Sequence, residues 1–382
     1  MSTYRKKFCD GDQTREVALP LTSRSSAGFV VNILKRALQS NLNLRLIVVG
    51  FGVVGQSLAR ILLSRASDLY TLYGINPKIV ACLDSKGSAV SQAGLDLHRL
   101  LEAKLSKGTV AAYDTSQSQS SLTGIMENIE AELLIEMTPT NFDDAEPGLT
   151  NIISGMRAGK HIITVNKGPL ALAFPSLVEL ADYNNIRFRF SGTVGGGTPI
   201  LEFAKKCLNG ERIISFKGIL NGTTNYILTR MEEGLSFHDA LADAKEKGYA
   251  EAMPLLDLEG YDAAAKLVIM ANWIMGLKVT IRDVKREGIT GMDLADVQKA
   301  SVKMTSIKLV AYCDNKHLEV KPIMIQKIDP ICVNGTLNAV TFCSEYSGDK
   351  TVIGRGAGGM ETASSIIRDL IEIRESIAKS TM

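Results

Sequence analysis

Residues 44–65 read LRLIVVGFGVVGQSLARILLSR, and their pattern decides the fold. Leu44–Val49 is an apolar run ending in Ile47, Val48 and Val49, which predicts a strand buried on both faces, as in a parallel sheet. It passes directly into Gly50-Phe51-Gly52-Val53-Val54-Gly55, a G-x-G-x-x-G. The next segment places Leu58, Ile61 and Leu62 on one helical face. Glycines let the backbone turn tightly and approach a pyrophosphate, and a helix N-terminus offers unpaired N–H groups to negative charge. The glycine pattern alone is weak. Between a strand and a helix it predicts a dinucleotide-binding turn made by Gly50, Gly52, Val53, Val54 and Gly55. The alternative is a glycine-rich turn that binds nothing.

Outward from this turn the pattern stays that of a doubly wound sheet. The second strand, KIVACLDS, ends at Asp84, where an acidic residue normally receives the adenosine ribose hydroxyls and favours NAD. Lys86 follows and could meet a 2′-phosphate, so NAD and NADP both stay open. Further strands, AELLIEMTPT and HIITVNKGPL, end in Thr138-Pro139-Thr140 and Asn166-Lys167. Ligands of open α/β sheets lie at the carboxyl ends of strands, so Thr138 and Lys167 are expected beside the nicotinamide. For Lys167 the alternative is a helix-start or surface lysine.

Beyond about residue 170 the period changes. FRFSGTVGGGTPI reads as a strand leading into glycines 195–197. ERIISFKGILNGTTNYILTRMEEG reads as strand, loop and helix, and Ser236 is a candidate N-cap for FHDALADAKEKG. IKLVAYC, HLEVKPIMI and NAVTFCSEY read as antiparallel strands, and GRGAGGMETASSIIRDLIEI as a glycine-rich turn into a closing helix. Between these lies LEGYDAAAKLVIMANWIMG, residues 258–276. It is apolar nearly all round, as a buried helix is, yet carries Lys266 four residues after Asp262. That spacing puts both side chains on one face. A buried ammonium must be paired or line a cavity, and a lysine in such a place suits proton transfer. The residues of this helix alone fit a structural pair and a catalytic pair equally.

The 382 residues allow two or three domains, and 45% hydrophobic with 22% charged residues is ordinary for a globular protein. A net charge of +2 suggests no nucleic-acid or membrane surface, and no apolar run is long enough to span a bilayer. Cys9, Cys82, Cys207, Cys313, Cys332 and Cys343 form no C-x-x-C, which fits reduced thiols in the cytoplasm. His98, His161, His238 and His317 form no zinc-hydrolase pattern, leaving Lys, Asp and Glu as the agents of any acid–base chemistry. Residues 1–43 read as an extension in which AGFVVNILKRALQS forms a short amphipathic helix; Asp10, Asp12 and Glu16 argue against a transit peptide.

From about residue 44 onward the chain resembles the homoserine dehydrogenase family. The residues carrying the likeness are GFGVVG, EMTPTN, TVNKGPLA, GTVGGGTPI, KGILNGTTNYIL, KGYAE, DLEGYDAAAKL, NAV and GRGAGGMETASSIIRDL. The resemblance implies interconversion of L-homoserine and L-aspartate 4-semialdehyde with NADP or NAD, in threonine, methionine and isoleucine biosynthesis. It implies a Rossmann-type domain (44–170), an α+β catalytic and dimerisation domain with a mixed or antiparallel sheet (171–345), and a C-terminal segment (346–382) returning to the first domain. A homodimer follows. Carried over residue by residue, Lys266 matches the proton donor and acceptor, and Asp262 a residue binding the substrate's polar end or hydroxyl. Glu251 matches a ligand of the substrate amino group, and Gly248 a backbone contact. Lys167 matches a lysine near nicotinamide and substrate, and Gly356 a late cofactor contact. Thr223 belongs to a loop that could serve the substrate carboxylate or hydroxyl.

Two departures stand out. Many members hold a monovalent cation with a glutamate where this chain has Ser191; Val194, Gly196 and Thr198 could still offer carbonyls, but the missing anion argues against a bound sodium. The chain also stops soon after the closing helix, so a monofunctional enzyme without a C-terminal regulatory domain is expected. The rivals are another amino-acid or semialdehyde dehydrogenase, and a non-catalytic dinucleotide-binding sensor. A thioester-forming enzyme would need an activated cysteine beside a base, and no cysteine has that setting. A sensor would keep the glycine turn without the acid–lysine set.

Overall fold

The computed structural model describes residues 3–10, 13–20, 42–114, 121–251 and 253–380. The chain divides into two compact units. The smaller draws on residues up to Asn43 together with Arg65–Asn76. It holds an antiparallel hairpin of β1 (Thr3–Asp10) and β2 (Gln13–Pro20), and a helix, Ala66–Tyr73, closed by Gly74 in the left-handed region. The hairpin was not expected, because its strands are polar and mixed in charge. The helix expected over 27–40 lies outside the described residues.

The larger unit contains two six-stranded sheets. The first is ordered β5-β4-β3-β6-β7-β8, with β3 at Leu42–Val49, β4 at Ile75–Asp84, β5 at Gly87–Val90, β6 at Leu133–Glu136, β7 at His161–Thr164 and β8 at Phe188–Arg189. Strands β3, β6, β7 and β8 pair in parallel, and β5 is an antiparallel edge on β4. Leu46, Ile47 and Val48 have no exposed surface, as strands covered on both faces require. The chain leaves β3 for β4 on one side and returns to β6 on the other. The carboxyl ends of β3 and β6 therefore form a switch point, the place where such sheets bind ligands.

The second sheet is ordered β10-β12-β11-β9-β13-β14, with β9 at Ile213–Ile219, β10 at Lys285–Arg286, β11 at Thr305–Asp314, β12 at Leu318–Gln326, β13 at Leu337–Ser344 and β14 at Gly348–Arg355. Only the short β10 pairs in parallel, so the sheet is mixed. Helices Gly222–Glu232, Tyr261–Met270 and Leu294–Val302 pack on β11. The closing helix, Gly359–Ser380, returns to the first sheet: a side chain at Gly359 would overlap Val53 and Ser57 of the helix Val53–Ser64. The α/β architecture anticipated for the chain is thus the one found.

Candidate active site

The glycine turn is built to hold something. Gly50 has φ +93°, and a Cβ there would lie 2.5 Å from the backbone of Met137 and 2.8 Å from the Thr138 amide, so only glycine lets β3 end against β6. No atom lies within 4 Å of where a Cβ of Gly52 would stand. That open space faces the first turn of the helix Val53–Ser64, which carries no acidic residue. Unpaired amides, an open cradle and the absence of negative charge fit a dinucleotide pyrophosphate. Thr138 lies at the same switch point. Its hydroxyl bonds to the buried Glu136 carboxylate, and Asn166 Nδ2 donates to it over 3.2 Å. Burial pushes the Glu136 carboxyl up, and the Thr138, Thr164 and Asn166 bonds only partly offset this.

Asp84 sits otherwise than expected. Its carboxylate accepts from Lys104 Nζ at 2.6 Å, the Val110 amide at 2.9 Å, Thr109 Oγ1 at 3.0 Å and the Lys86 amide at 3.0 Å. Four donors fill the lone pairs of a carboxylate, and the side chain is only 5% exposed. Ribose hydroxyls at Asp84 would have to displace one of these donors. None of these partners is visible in the local sequence, because most of the donors lie twenty or more residues further along.

Where the two sheets' elements meet, the Asp262–Lys266 pair is real and buried. Lys266 Nζ donates to Asp262 Oδ2 and to the Leu220 carbonyl, each over 2.7 Å, with 8% of its side chain exposed. Asp262 Oδ1 faces Lys167 Nζ at 3.5 Å. Lys167 opens the helix Lys167–Tyr183, whose N-cap is Asn166, so the β7 end delivers it to the pair. Asn221 Nδ2 donates to both Asp257 Oδ1, at 2.7 Å, and Asp262 Oδ2, at 2.9 Å, while its Oδ1 accepts from the Thr224 amide and caps Gly222–Glu232. Thr223 Oγ1 reaches Asp257 Oδ2 and the Tyr249 carbonyl, both at 2.9 Å.

The two carboxylates are driven apart electrostatically. Burial alone would raise Asp262, but the charges of Lys266 and Lys167 outweigh it and hold the acid well below the usual carboxylate range. Asp257 is pushed up, first by burial and then by the negative charge of Asp262. Asp262 is the more readily ionised of the two, and two ammonium groups share its carboxylate.

Other expected site residues are placed differently. Gly248 has φ +73° and ends the helix Phe237–Glu246, on the exposed side. Glu251 is exposed, and among the described residues its carboxylate has no hydrogen-bond partner. Gly356 is buried, against Gly196 and the Asn338 amide. At Ser191 the structure supplies what the sequence lacked: the hydroxyl touches the carboxylates of Glu202 and Asp369, and its amide donates to Asp369 Oδ2 over 3.1 Å. Burial pushes the Asp369 carboxyl up to about 7, an effect that the bond from Ser191 only partly offsets. Among the described residues no group of His, Cys, Asp and Glu is arranged to hold a metal ion. Sequence reasoning missed Asn221, Asp257 and Asn338 as members of the site. The D-x-x-x-x-D spacing ahead of Lys266 was the one available signal.

Comparison with known proteins decides the family. Residues 199–371, which carry the acid–lysine cluster, match the family model for homoserine dehydrogenase. The chain is 42% identical over 335 residues to the homoserine dehydrogenase of Methanocaldococcus jannaschii, covering 87% of this chain and 99% of that protein. The chain belongs to the homoserine dehydrogenase family. An NAD(+)-dependent homoserine dehydrogenase of Pseudomonas canavaninivorans is 37% identical, covering 88% of this chain and 97% of that one. A solved structure named as a homoserine dehydrogenase from Archaeoglobus fulgidus superposes with TM-score 0.80 at 38% identity, covering 87% of this chain and 99% of its own. A hyperthermophilic archaeal homoserine dehydrogenase in complex with NADPH superposes with TM-score 0.76 at 26% identity, covering 88% and 98%. Residues 16–137 also match the model for glutamate, leucine, phenylalanine and valine dehydrogenases, a stretch that contains the glycine turn but none of the acid–lysine cluster. Homoserine dehydrogenases are NAD(P)-dependent oxidoreductases acting on a CH–OH group of a small amino acid.

Proposed function

We propose that Lys266, Asp262 and Lys167 form the catalytic centre at which this chain interconverts L-homoserine and L-aspartate 4-semialdehyde. The bound nicotinamide supplies the hydride acceptor or donor. Everything else in the step is the work of the protein's own groups. An ammonium has three hydrogens, and Lys266 spends two of them on Asp262 and the Leu220 carbonyl. The third is free to meet the substrate oxygen. That single geometry carries the reading. In reduction the ammonium stabilises the developing alkoxide and gives it a proton; in oxidation the amine takes the hydroxyl proton. Asp262 holds the lysine in place and shares its charge with Lys167.

The substrate carries both an ammonium and a carboxylate, so the pocket needs both signs. Lys167, 24% exposed at the edge of the cluster, suits the carboxylate. Exposed Glu251, two residues past the Tyr249 carbonyl that Thr223 engages, suits the amino group. Gly248 gives that loop its left-handed turn. Gly50, Gly52, Val53, Val54, Gly55, Thr138 and Gly356 line the cofactor side. The division into 44–170, 171–345 and 346–382 belongs to the same reading, with β8 of the first sheet lying past the first boundary and β14 of the second sheet past the second. The family's homodimer and a cytoplasmic location complete the reading. Six cysteines with no C-x-x-C among them agree with that location.

The decisive assay follows NADH or NADPH formation from L-homoserine at alkaline pH, one cofactor at a time. Turnover with at least one is expected, and failure with both would falsify the reading. Lys266→Ala should keep its fold and its cofactor affinity while kcat falls at least about a hundredfold. Glu251→Gln should raise KM for homoserine about tenfold through loss of a charge-assisted bond, with kcat little changed.

A further inference from the structure

Beside the acid–lysine cluster, Phe142 and Tyr261 meet, and neither has a role above. Phe142 stands four residues past Thr138, on the loop that follows β6. Tyr261 opens the helix that carries Asp262 and Lys266. The two rings lie nearly parallel, at 15°, with centroids 6.4 Å apart, within the range of an interacting aromatic pair. The Arg286 guanidinium lies on the Tyr261 ring, its carbon 3.4 Å from the centroid, well inside the reach of a cation–π contact. Both partners of Tyr261 are themselves held. Arg286 ends β10, and its Nη1 donates to the Glu259 carbonyl. The Ile289 amide donates to the Leu258 carbonyl over 2.8 Å, so the segment after β10 runs beside the turn that precedes Tyr261. A Cβ on Gly168 would overlap the Asn141 carbonyl, so the Phe142 loop rests on the first turn of the helix that Lys167 opens. All three stacked residues are half-buried.

We propose that Tyr261 is a positioning residue: held by Arg286 of the second sheet and by Phe142 of the first, its ring fixes the helical turn that presents Asp262 and Lys266 to the cofactor side. The proposal rests on the reading of Lys266 as the proton-transfer group. The neighbouring tie between the same two walls is Lys167 Nζ to Asp262 Oδ1, which at 3.5 Å is an ion pair rather than a hydrogen bond. Such a pair attracts without fixing an angle. Two rings in broad contact resist both sliding and tilting. Accuracy matters here, because a misplacement of about 1 Å can cost about a hundredfold in rate. Among the described residues the Tyr261 hydroxyl has no hydrogen-bond partner. The stack therefore needs the ring and not the hydroxyl, so Tyr261→Phe should keep the function and Tyr261→Leu should lose it.

The test is a single turnover. Enzyme in excess over the reduced cofactor is mixed with saturating L-aspartate 4-semialdehyde, and the loss of nicotinamide fluorescence is followed by stopped flow. The amplitude reports how much enzyme is folded and loaded, and the rate constant reports the geometry of transfer. Tyr261→Leu should lower the rate constant about tenfold with its amplitude kept, and Tyr261→Phe should stay within about twofold of wild type. Loss of structure alone would lower the amplitude and spare the rate constant, and that result overturns the proposal. Phe142→Leu should slow transfer about as far. The double variant should be no slower than the worse single one, because both changes remove one contact. Losses that multiply in the double variant overturn the bridge between the two rings. Should Tyr261→Leu not fold, Phe142→Leu carries the test alone, and a wild-type rate constant there overturns the proposal. Turnover retained in Lys266→Ala would instead sink the underlying reading, while the double-variant cycle still decides whether the two rings act together.

Discussion

Asp262 carries an unusual load for one carboxylate, because two ammonium groups and one amide depend on it. Asp262→Asn leaves Lys266 buried without its counter-charge, and removing one partner of a buried pair costs about 3–5 kcal/mol. Both a lower Tm and a collapse of kcat are expected; thermal melts and initial rates on one preparation check them together. Its low pKa means its stabilising contribution is present above the unfolded value of 3.8 and fades as acid protonates the folded form. Asp369 runs the other way. Raised to about 7 from 3.8, it holds a proton in the folded chain that the unfolded chain has already lost. Its contribution is therefore full at acid pH and is lost as pH rises through 7. Facing it are Ser191, Glu202 and, further off, Glu372. Asp369→Asn, whose amide can donate to Ser191 permanently, should flatten the fall in Tm between about pH 5 and about pH 8. A wild-type slope in that variant would locate the titration elsewhere.

The helix Tyr261–Met270 does two jobs with one sequence. Its Ala263, Ala264, Leu267 and Met270 have almost no exposed surface and seat it in the core, while Asp262 and Lys266 share the face toward the cleft. It then widens into a π turn over Ala271–Met275 and stops at Gly276 with φ +70°. Asn272, the other polar residue in this oily run, clamps both the amide and the carbonyl of Val279, at 2.8 and 2.7 Å. Asn272→Leu should cost about 1–3 kcal/mol by orphaning those two backbone groups. Its kcat and KM should stay near wild type, which a denaturant melt beside a rate assay would show. What sequence could reveal ends at this scale. An i, i+4 pair, a glycine turn after a β-branched run and the Ser236 cap are local and were legible. Asn221, Asp257 and Asn338 come from three separate segments and meet only once the second sheet has closed. The partners of Asp84 were hidden for the same reason: its strand-end position is local, but most of the donors that satisfy it are not.

At the level of the molecule, the closing helix is the tie between the two sheets' machinery. Ile366, Ile367, Leu370 and Ile373 along it are 0–3% exposed, Gly359 abuts the helix after the glycine turn, and Asp369 holds Ser191. Burying such side chains contributes about 1.5–3 kcal/mol each, a sum comparable with the whole stability of an ordinary domain. A chain cut before Gly359 should therefore fail to give a cooperative melt, and a truncated protein with a wild-type Tm would contradict this role. The same arrangement has a consequence for biogenesis. The wall around the pyrophosphate cradle joins a helix made near residue 53 to one made near residue 359, so on the ribosome the strands of the nucleotide fold emerge long before the piece that completes them. Until synthesis reaches that helix the nascent chain presents a half-walled cradle, and cofactor capture has to wait for a segment made long after the glycine turn itself.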